Sequence, residues 1–86
     1  MQYKLKWKRA ATKEFKKLPK ENQNKIINAV ESLAQNPFSG NFRKMVNSKN
    51  SYRIRVGSYR VIYKIFKRQL IIEIIRVRHR KDAYRS

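Results

Sequence analysis

Three arginines are spaced along residues 52–63 so that their guanidinium groups could meet one phosphate. Apolar and polar residues alternate on both sides of Gly57-Ser58, which predicts a β-hairpin with a two-residue turn. Because side chains alternate between the faces of a strand, Arg53, Arg55 and Arg60 would share one face, with Arg55 opposite Arg60. Opposed like charges destabilise a sheet, whereas guanidinium groups bind phosphate well. The hairpin therefore predicts a phosphate-binding surface.

The composition points to the same kind of ligand. The chain of 86 residues carries 23 Lys and Arg against 5 Asp and Glu, a net charge of +18. Such charge attracts a polyanion, meaning nucleic acid, a ribosome or an acidic protein. There is no cysteine, which excludes disulfides and thiolate–metal sites. No apolar run could cross a membrane and no signal-peptide pattern follows Met1, so we expect a soluble cytoplasmic protein without membrane binding.

The chemistry that these residues could perform on RNA needs no metal ion. The acids are scattered along the chain beside a single His, a poor ligand set, so we predict neither a metal site nor a cofactor. RNA can be cleaved by its own 2′-OH, which attacks the adjacent phosphate and leaves a 2′,3′-cyclic phosphate and a 5′-OH. Cations such as Arg55, Arg60 and Arg80 would stabilise the transition state, each by about 3 kcal/mol. Proton transfer would fall to Tyr84 and His79.

The elements that would hold these residues follow the order β-α-α-β-β-β. Residues 3–8 alternate apolar side chains with lysines, as in a strand with one buried face. Two segments with helical spacing, ending at Pro19 and before Asn36-Pro37, predict an αα-hairpin. Residues 36–51 are rich in Asn and Ser and predict a loop, with 42–46 as a candidate strand. Residues 70–77 are apolar enough for a strand buried on both faces.

These elements assemble into one predicted α+β domain over residues 1–86. Two helices would pack on one face of a twisted, three- to four-stranded and largely antiparallel sheet. The apolar face of the hairpin would contribute to the core through Tyr52, Ile54, Val56, Tyr59, Val61 and Tyr63.

The whole chain also resembles a known family. The residues that carry the resemblance are Leu18-Pro19, Asn36-Pro37, Gly40, Lys44-Met45, the hairpin 52–63 and the ending 79–85. In this order and spacing the chain is similar to the RelE/ParE superfamily of toxins, and the hairpin and the ending are its specific parts. The resemblance implies a RelE-like fold and a toxin of a type II toxin–antitoxin system. RelE-branch toxins are messenger-RNA endonucleases of the ribosomal A site, whereas ParE-branch toxins poison DNA gyrase.

The resemblance also implies an active site. RelE-type toxins place basic residues on the first hairpin strand, an Arg on the second, an Arg after the last strand and a Tyr near the C-terminus. The first-strand positions are Lys in the best-known members, and because arginine stays protonated we expect no proton transfer there. The predicted catalytic residues are Arg55, Arg60, His79, Arg80 and Tyr84. The predicted RNA-binding residues are Arg53, Arg55, Arg60, Arg78, Lys81 and Arg85.

The expected partners are a cognate acidic antitoxin, in a hetero-oligomer, together with the ribosome and messenger RNA. Two other functions remain open at this point. A gyrase-directed toxin could share the fold, although Arg60, Arg80 and Tyr84 argue against it. A plain RNA- or ribosome-binding module would need only the charge, but the sequence lacks the glycine-loop and aromatic signatures of common RNA-binding domains.

Overall fold

The computed structural model describes residues 2–37, 43–44 and 51–79, which form two helices against one sheet. The elements are β1 Lys4–Trp7, α1 Arg9–Lys16, α2 Lys20–Gln35, β2 Arg43–Lys44, β3 Ser51–Val56, β4 Tyr59–Phe66 and β5 Ile71–His79. The sheet order is β1-β5-β4-β3-β2, with β1 parallel to β5 and the other neighbouring pairs antiparallel. The predicted α+β class and largely antiparallel sheet are confirmed, and with the short β2 the described sheet has five strands where three or four were predicted.

The two helices meet at a turn held by one side chain. The amide of Gln23 donates to the backbone carbonyls of Phe15 at 3.3 Å and Leu18 at 3.0 Å, which satisfies acceptors at the end of α1. Pro19 precedes α2, where its missing N–H is of no consequence. Neither described helix is long and apolar enough to span a membrane.

The core lies between the helices and one face of the sheet. On α2 the buried residues recur at helical spacing, and Ile27, beside the buried Ile26, is 37% exposed. Burying an aliphatic side chain fully contributes about 1.5–3 kcal/mol, so this layer supplies most of the stability. The core comprises Ala11, Ile26, Val30, Leu33, Ile54, Val61, Tyr63, Ile65, Ile72, Ile74 and Val77.

The predicted hairpin register is confirmed pair by pair. Val56 lies opposite Tyr59, and Arg55 lies opposite Arg60, as the alternation around the turn predicts. Gly57, the first turn residue, has a φ of 59°, and a type II′ hairpin turn takes glycine at this position. The turn chemistry therefore sets which side chains face the helices and which face away from them.

The last strand contains a β-bulge that the sequence analysis missed. Ile62 of β4 pairs with Arg76 and the next residue, Tyr63, pairs with Ile74, so Ile75 is an extra residue in β5. The prediction of a strand over 70–77 buried on both faces is therefore wrong in detail. The strand starts at Ile71, only its helix-facing side is buried, and the outer side is half-buried.

The outer edge of β5 is covered differently along its length. Strand β1 pairs only with Ile71–Ile74, and the backbone N–H of Lys8 makes the last hydrogen bond, to the carbonyl of Ile74 at 2.9 Å. The chain then turns into α1, which packs beside the remainder of β5. Of the predicted strand over 42–46, the described part is Arg43–Lys44, which pairs with β3.

Candidate nucleic-acid interface

The face of the sheet that points away from the helices carries two rows of arginines. Cross-strand partners share a face. Arg55, Arg60 and Arg78 are successive partners across β3, β4 and β5, and form one row. In the neighbouring row, Ile62 lies between Arg53 and Arg76. We call the five residues Arg53, Arg55, Arg60, Arg76 and Arg78 the arginine rows.

The bulge explains why β5 contributes to this surface. Ile72 and Ile74 are fully buried on the helix side, so regular alternation would send Arg76 and Arg78 to the helix side as well. The extra residue at Ile75 inverts the alternation, and the buried position becomes Val77 instead. Both arginines of β5 therefore join the outer face.

The arginines differ in their exposure. Arg53 and Arg55 are exposed, whereas Arg60, at the centre of the sheet, is only 7% exposed. The side chain of Arg78 is 28% exposed and that of Arg76 is 38% exposed. Arg60 and Arg78 are therefore more shielded from water than Arg53 and Arg55, and a partly desolvated guanidinium group interacts more strongly with an anion than a hydrated one does.

A single carboxylate from α1 contacts the β5 end of the arginine rows. Glu14 Oε1 accepts a hydrogen bond from the backbone N–H of Val77 at 2.9 Å. Glu14 Oε2 accepts one from Nη2 of Arg76 at 3.0 Å and lies 3.9 Å from Nε of Arg78. The carboxylate therefore holds the backbone after the bulge and two arginines at once.

Further along the outer face the charges alternate in sign between strands. Glu73 of β5 lies between Lys6 of β1 and Lys64 of β4, so each lysine has an acidic cross-strand neighbour. Opposite charges in such positions stabilise a sheet, by about 0.2–1 kcal/mol per pair. In the arginine rows, by contrast, Arg55, Arg60 and Arg78 are direct cross-strand neighbours of like charge.

His79, a predicted catalytic residue, lies on the other side of the sheet. It pairs with Tyr59, and the two rings meet edge to face with centroids 5.3 Å apart. The Tyr59 hydroxyl in turn accepts a hydrogen bond from Asn22 of α2 at 3.4 Å, which places this pair on the helix side. The sheet therefore separates the imidazole from the arginine rows, and its ring contact indicates packing.

Tyr63, the buried tyrosine of β4, also lies away from the arginine rows and is not a candidate for proton transfer. Burial, with a smaller contribution from neighbouring Tyr52, raises the pKa of Tyr63 above its ordinary value. Its ring stacks on that of Tyr52 at a centroid distance of 5.9 Å, and its hydroxyl has no hydrogen-bond partner among the described residues. Tyr63 therefore stays protonated and belongs to the core.

The structure brings together four of the predicted site residues, Arg53, Arg55, Arg60 and Arg78. The predicted Arg80, Lys81, Tyr84 and Arg85 lie outside the described residues. Arg76 and Glu14 were not among the residues predicted from the sequence. The spacing of Ile72, Ile74 and Val77, two residues and then three, is the signal for the bulge that would have found Arg76. In the described ranges no three His, Asp or Glu side chains lie close enough together to hold a metal ion.

Comparison with known proteins agrees with this fold and with the resemblance of the sequence. Residues 5–84 match a family model described as the ParE toxin of the type II toxin-antitoxin system, parDE. A putative RelE-like toxin protein from Escherichia coli is 32% identical, and the match covers 98% of this chain and 92% of that protein.

Solved structures give the same answer for the fold. The archaeal RelE-RelB complex from Pyrococcus horikoshii OT3 contains a chain that superimposes with a TM-score of 0.82 at 26% identity, covering 93% of this chain and 97% of that chain. The RelB-RelE antitoxin-toxin complex from Methanococcus jannaschii gives a TM-score of 0.74 at 30% identity, covering 92% and 94%.

Proposed function

Because the chain belongs to the RelE/ParE superfamily of toxins from type II toxin–antitoxin systems, we propose that it is a RelE-like RNA endonuclease. Its substrate is messenger RNA in the ribosomal A site, and its reaction needs no metal ion. The observation that carries the proposal is the pair of arginine rows, because such guanidinium groups suit a substrate phosphate.

In the proposed reaction the RNA supplies its own nucleophile. The 2′-OH attacks the adjacent phosphorus, the bond to the 5′ oxygen breaks, and the products end in a 2′,3′-cyclic phosphate and a 5′-OH. Arg60 and Arg78 face the charge that develops on the phosphate, and Arg53 and Arg55 hold the flanking backbone. One preorganised donor of this kind lowers the barrier by about 3 kcal/mol.

The remaining roles follow the family resemblance. We assign Arg80 to the scissile phosphate, Lys81 and Arg85 to the RNA backbone, and Tyr84 to proton transfer, since His79 faces the helices. Positive charge near a tyrosine favours the phenolate, so a site rich in arginine suits a tyrosine that exchanges protons.

The direct test is cleavage of messenger RNA on purified ribosomes that are translating, with the RNA ends mapped and their chemistry determined. We expect A-site cleavage that yields 5′-OH and cyclic phosphate ends and persists at EDTA concentrations that leave ribosomes intact. A product with a 3′-OH end that requires added metal would contradict the mechanism.

Two single variants with the same loss of charge sharpen this test. Arg55 is exposed in the arginine rows, and Arg68 is exposed in the turn at the other end of β4. We expect Arg55→Ala to lower cleavage by at least about tenfold, whereas Arg68→Ala keeps it near the wild-type rate, because only Arg55 lies in the arginine rows that hold the RNA backbone. Equal losses would mean that bulk charge alone matters.

We also propose an acidic antitoxin as the partner that keeps the toxin inactive. The structures from Pyrococcus horikoshii and Methanococcus jannaschii are complexes of RelE with RelB. The charge of +18 provides the complementarity, and carboxylates of the antitoxin would cover the arginine rows. Co-expression of the neighbouring gene should restore growth, and Arg55→Glu should weaken the complex. Unimpaired growth on high expression of this chain alone would contradict the toxin assignment.

A second candidate function is inhibition of DNA gyrase, and the description of the matching family model as a ParE toxin favours it. A supercoiling assay with purified gyrase separates the two functions. We expect no inhibition at concentrations that cleave ribosome-bound messenger RNA. Inhibition of gyrase without RNA cleavage would replace the endonuclease proposal.

A further inference from the structure

Glu14 is the acidic residue that joins α1 to the arginine rows across a long stretch of sequence. It accepts hydrogen bonds from the backbone N–H of Val77, 63 residues later in the chain, and from the side chain of Arg76, 62 residues later. The chain has only 5 Asp and Glu for 23 Lys and Arg, so an acid beside two arginines is a notable use of negative charge. Its carboxylate is partly buried, with 26% of the side chain exposed.

The carboxylate lies where the backbone ladder of the sheet has ended. Strand β1 stops at Trp7, and the last hydrogen bond from that side reaches the carbonyl of Ile74. Beyond the bulge, the N–H of Val77 points to the outer edge and Glu14 accepts it. One side chain thus replaces the missing strand at the point where β5 turns its arginines outward.

The same carboxylate fixes the direction of the arginines. It binds Nη2 of Arg76 and lies beside Nε of Arg78, which is the register partner of Arg60. A long side chain at the edge of a sheet samples several rotamers, and an anchored one is already oriented when a phosphate arrives. However, a fixed carboxylate also repels phosphate, so its net effect on RNA affinity is unfavourable or small.

We propose that Glu14 is the positioning residue of the arginine rows. It ties β5 after the bulge to α1 and holds Arg78 in line with Arg60, so that both guanidinium groups meet the transition state of the cleaved phosphate. This role rests on the proposed endonuclease function. It implies that Glu14 raises the rate of the bound complex and does not raise its affinity.

The test separates rate from affinity in three variants. Glu14→Ala removes the acceptor and the charge, and Glu14→Gln keeps an acceptor for Val77 but removes the charge. The matched control is Glu31→Gln, which removes the same charge from an exposed position on α2. Single-turnover cleavage on saturated ribosomes and the Kd for a single-stranded RNA are measured for each variant.

We expect Glu14→Ala to cleave at least about tenfold more slowly while its Kd stays equal or becomes tighter, the pattern of lost orientation. Glu14→Gln should lie between this variant and wild type, and Glu31→Gln should match wild type in both measurements. Wild-type cleavage by folded Glu14→Ala would overturn the proposal. Faster cleavage with tighter binding would also overturn it, because Glu14 would then only compete with phosphate.

A second readout does not depend on cleavage. In ¹⁵N NMR spectra, the amide of Val77, the Nη2 group of Arg76 and the Nε–H group of Arg78 report on the carboxylate. We expect hydrogen exchange at Val77 to be slow in wild type and in Glu14→Gln and fast in Glu14→Ala. Unchanged exchange and unchanged Nε–H signals in Glu14→Ala would refute the anchoring role, whether or not wild type cleaves RNA. If Glu14→Ala does not fold, Glu14→Gln and its Nε–H signals decide the question.

Discussion

The two halves of β5 are held in different ways. From Ile71 to Ile74 the strand lies between β1 and β4, with backbone hydrogen bonds on both sides and two isoleucines in the core. From Arg76 to His79 it has β4 on one side, and on the other side the described neighbour is α1, from which Glu14 contacts the strand. A single extra residue, Ile75, separates the two halves.

On the proposed function, the two halves of β5 divide stability from catalysis. The first half gains its stability from apolar burial, which is non-directional and tolerates small shifts. The second half carries arginines whose effect on a reacting phosphate depends on direction, because a displacement of about 1 Å can cost roughly 10²-fold in rate. Substitutions should therefore change the stability in the first half and the activity in the second.

The largest expected effect on stability comes from breaking the first half. Ile74 is fully buried and pairs with Tyr63 at the register shift, so Ile74→Ala leaves a cavity. We expect a loss of about 2–5 kcal/mol in the free energy of unfolding, measured by urea denaturation. The fraction that remains folded should cleave RNA at a rate close to wild type. A loss below about 1 kcal/mol would be smaller than a core cavity causes, and it would show that the first half of β5 does not supply stability in this way.

The second largest effect is expected on cleavage, with little change in stability. Arg78→Ala should lower the cleavage rate by about 10²–10³, the usual effect of removing one preorganised donor. Its ion pair with Glu14 is long, at 3.9 Å, and about a quarter exposed, so the loss of stability should stay within about 1 kcal/mol.

The salt dependence of RNA binding gives a further measurement on the same variant. Each phosphate contact that is lost should reduce the log–log slope by about 0.7. Arg68→Ala is the matched control for the loss of one charge. A slope that Arg78→Ala leaves unchanged would exclude this arginine from the phosphate contacts.

A smaller effect is expected at the tyrosine opposite Ile74. Tyr63→Phe keeps the ring and removes a buried hydroxyl that has no partner among the described residues, so stability at neutral pH should rise by up to about 1 kcal/mol. Urea denaturation of both proteins checks this value. A clear loss of stability would show that the hydroxyl is hydrogen-bonded in solution.

The same pair of proteins tests the raised pKa of Tyr63. Above pH about 10, tyrosine ionises in the unfolded chain but Tyr63 stays neutral in the folded protein. The wild type should therefore lose stability as the pH rises above that value, while below it Tyr63 causes no pH dependence. Tyr63→Phe should lose less stability over the same alkaline range.

The smallest effect is expected at the end of the strand. His79→Phe keeps an aromatic ring against Tyr59 and removes the titratable imidazole. Because the ring lies on the helix side, we expect stability within about 1 kcal/mol of wild type and cleavage near the wild-type rate. A strong loss of cleavage by folded His79→Phe, with RNA affinity retained, would return proton transfer to His79.

The hairpin was predictable from sequence because its information is local. Alternation around Gly57-Ser58 sets the register, and the pairing of Arg55 with Arg60 follows from it. The low exposure of Arg60 did not follow, since it depends on how neighbouring strands crowd the centre of the sheet. Local alternation therefore predicts which face of the sheet a side chain occupies, but it does not predict how deeply that side chain is buried.

The arrangement around β5 was not predictable in the same way. Its apolar run predicts a strand buried on both faces. The run is apolar without regular alternation because Ile75 is an extra residue at the register shift. The contact of Glu14 with Val77 bridges 63 residues and leaves no local pattern. The resemblance to toxins covered the arginines of the hairpin but said nothing of Glu14 or Arg76.

The parallel pairing of β1 with β5 has a consequence for folding of the nascent chain. Strand β1 and helix α1 leave the ribosome early, but their partner in the sheet is the last described strand, β5. Contacts of such long sequence separation form late and slow the folding of a small domain. A nascent chain that ends before β5 lacks Arg76 and Arg78 and leaves the carboxylate of Glu14 without either arginine. The topology therefore delays completion of the arginine rows until β5 has been synthesised.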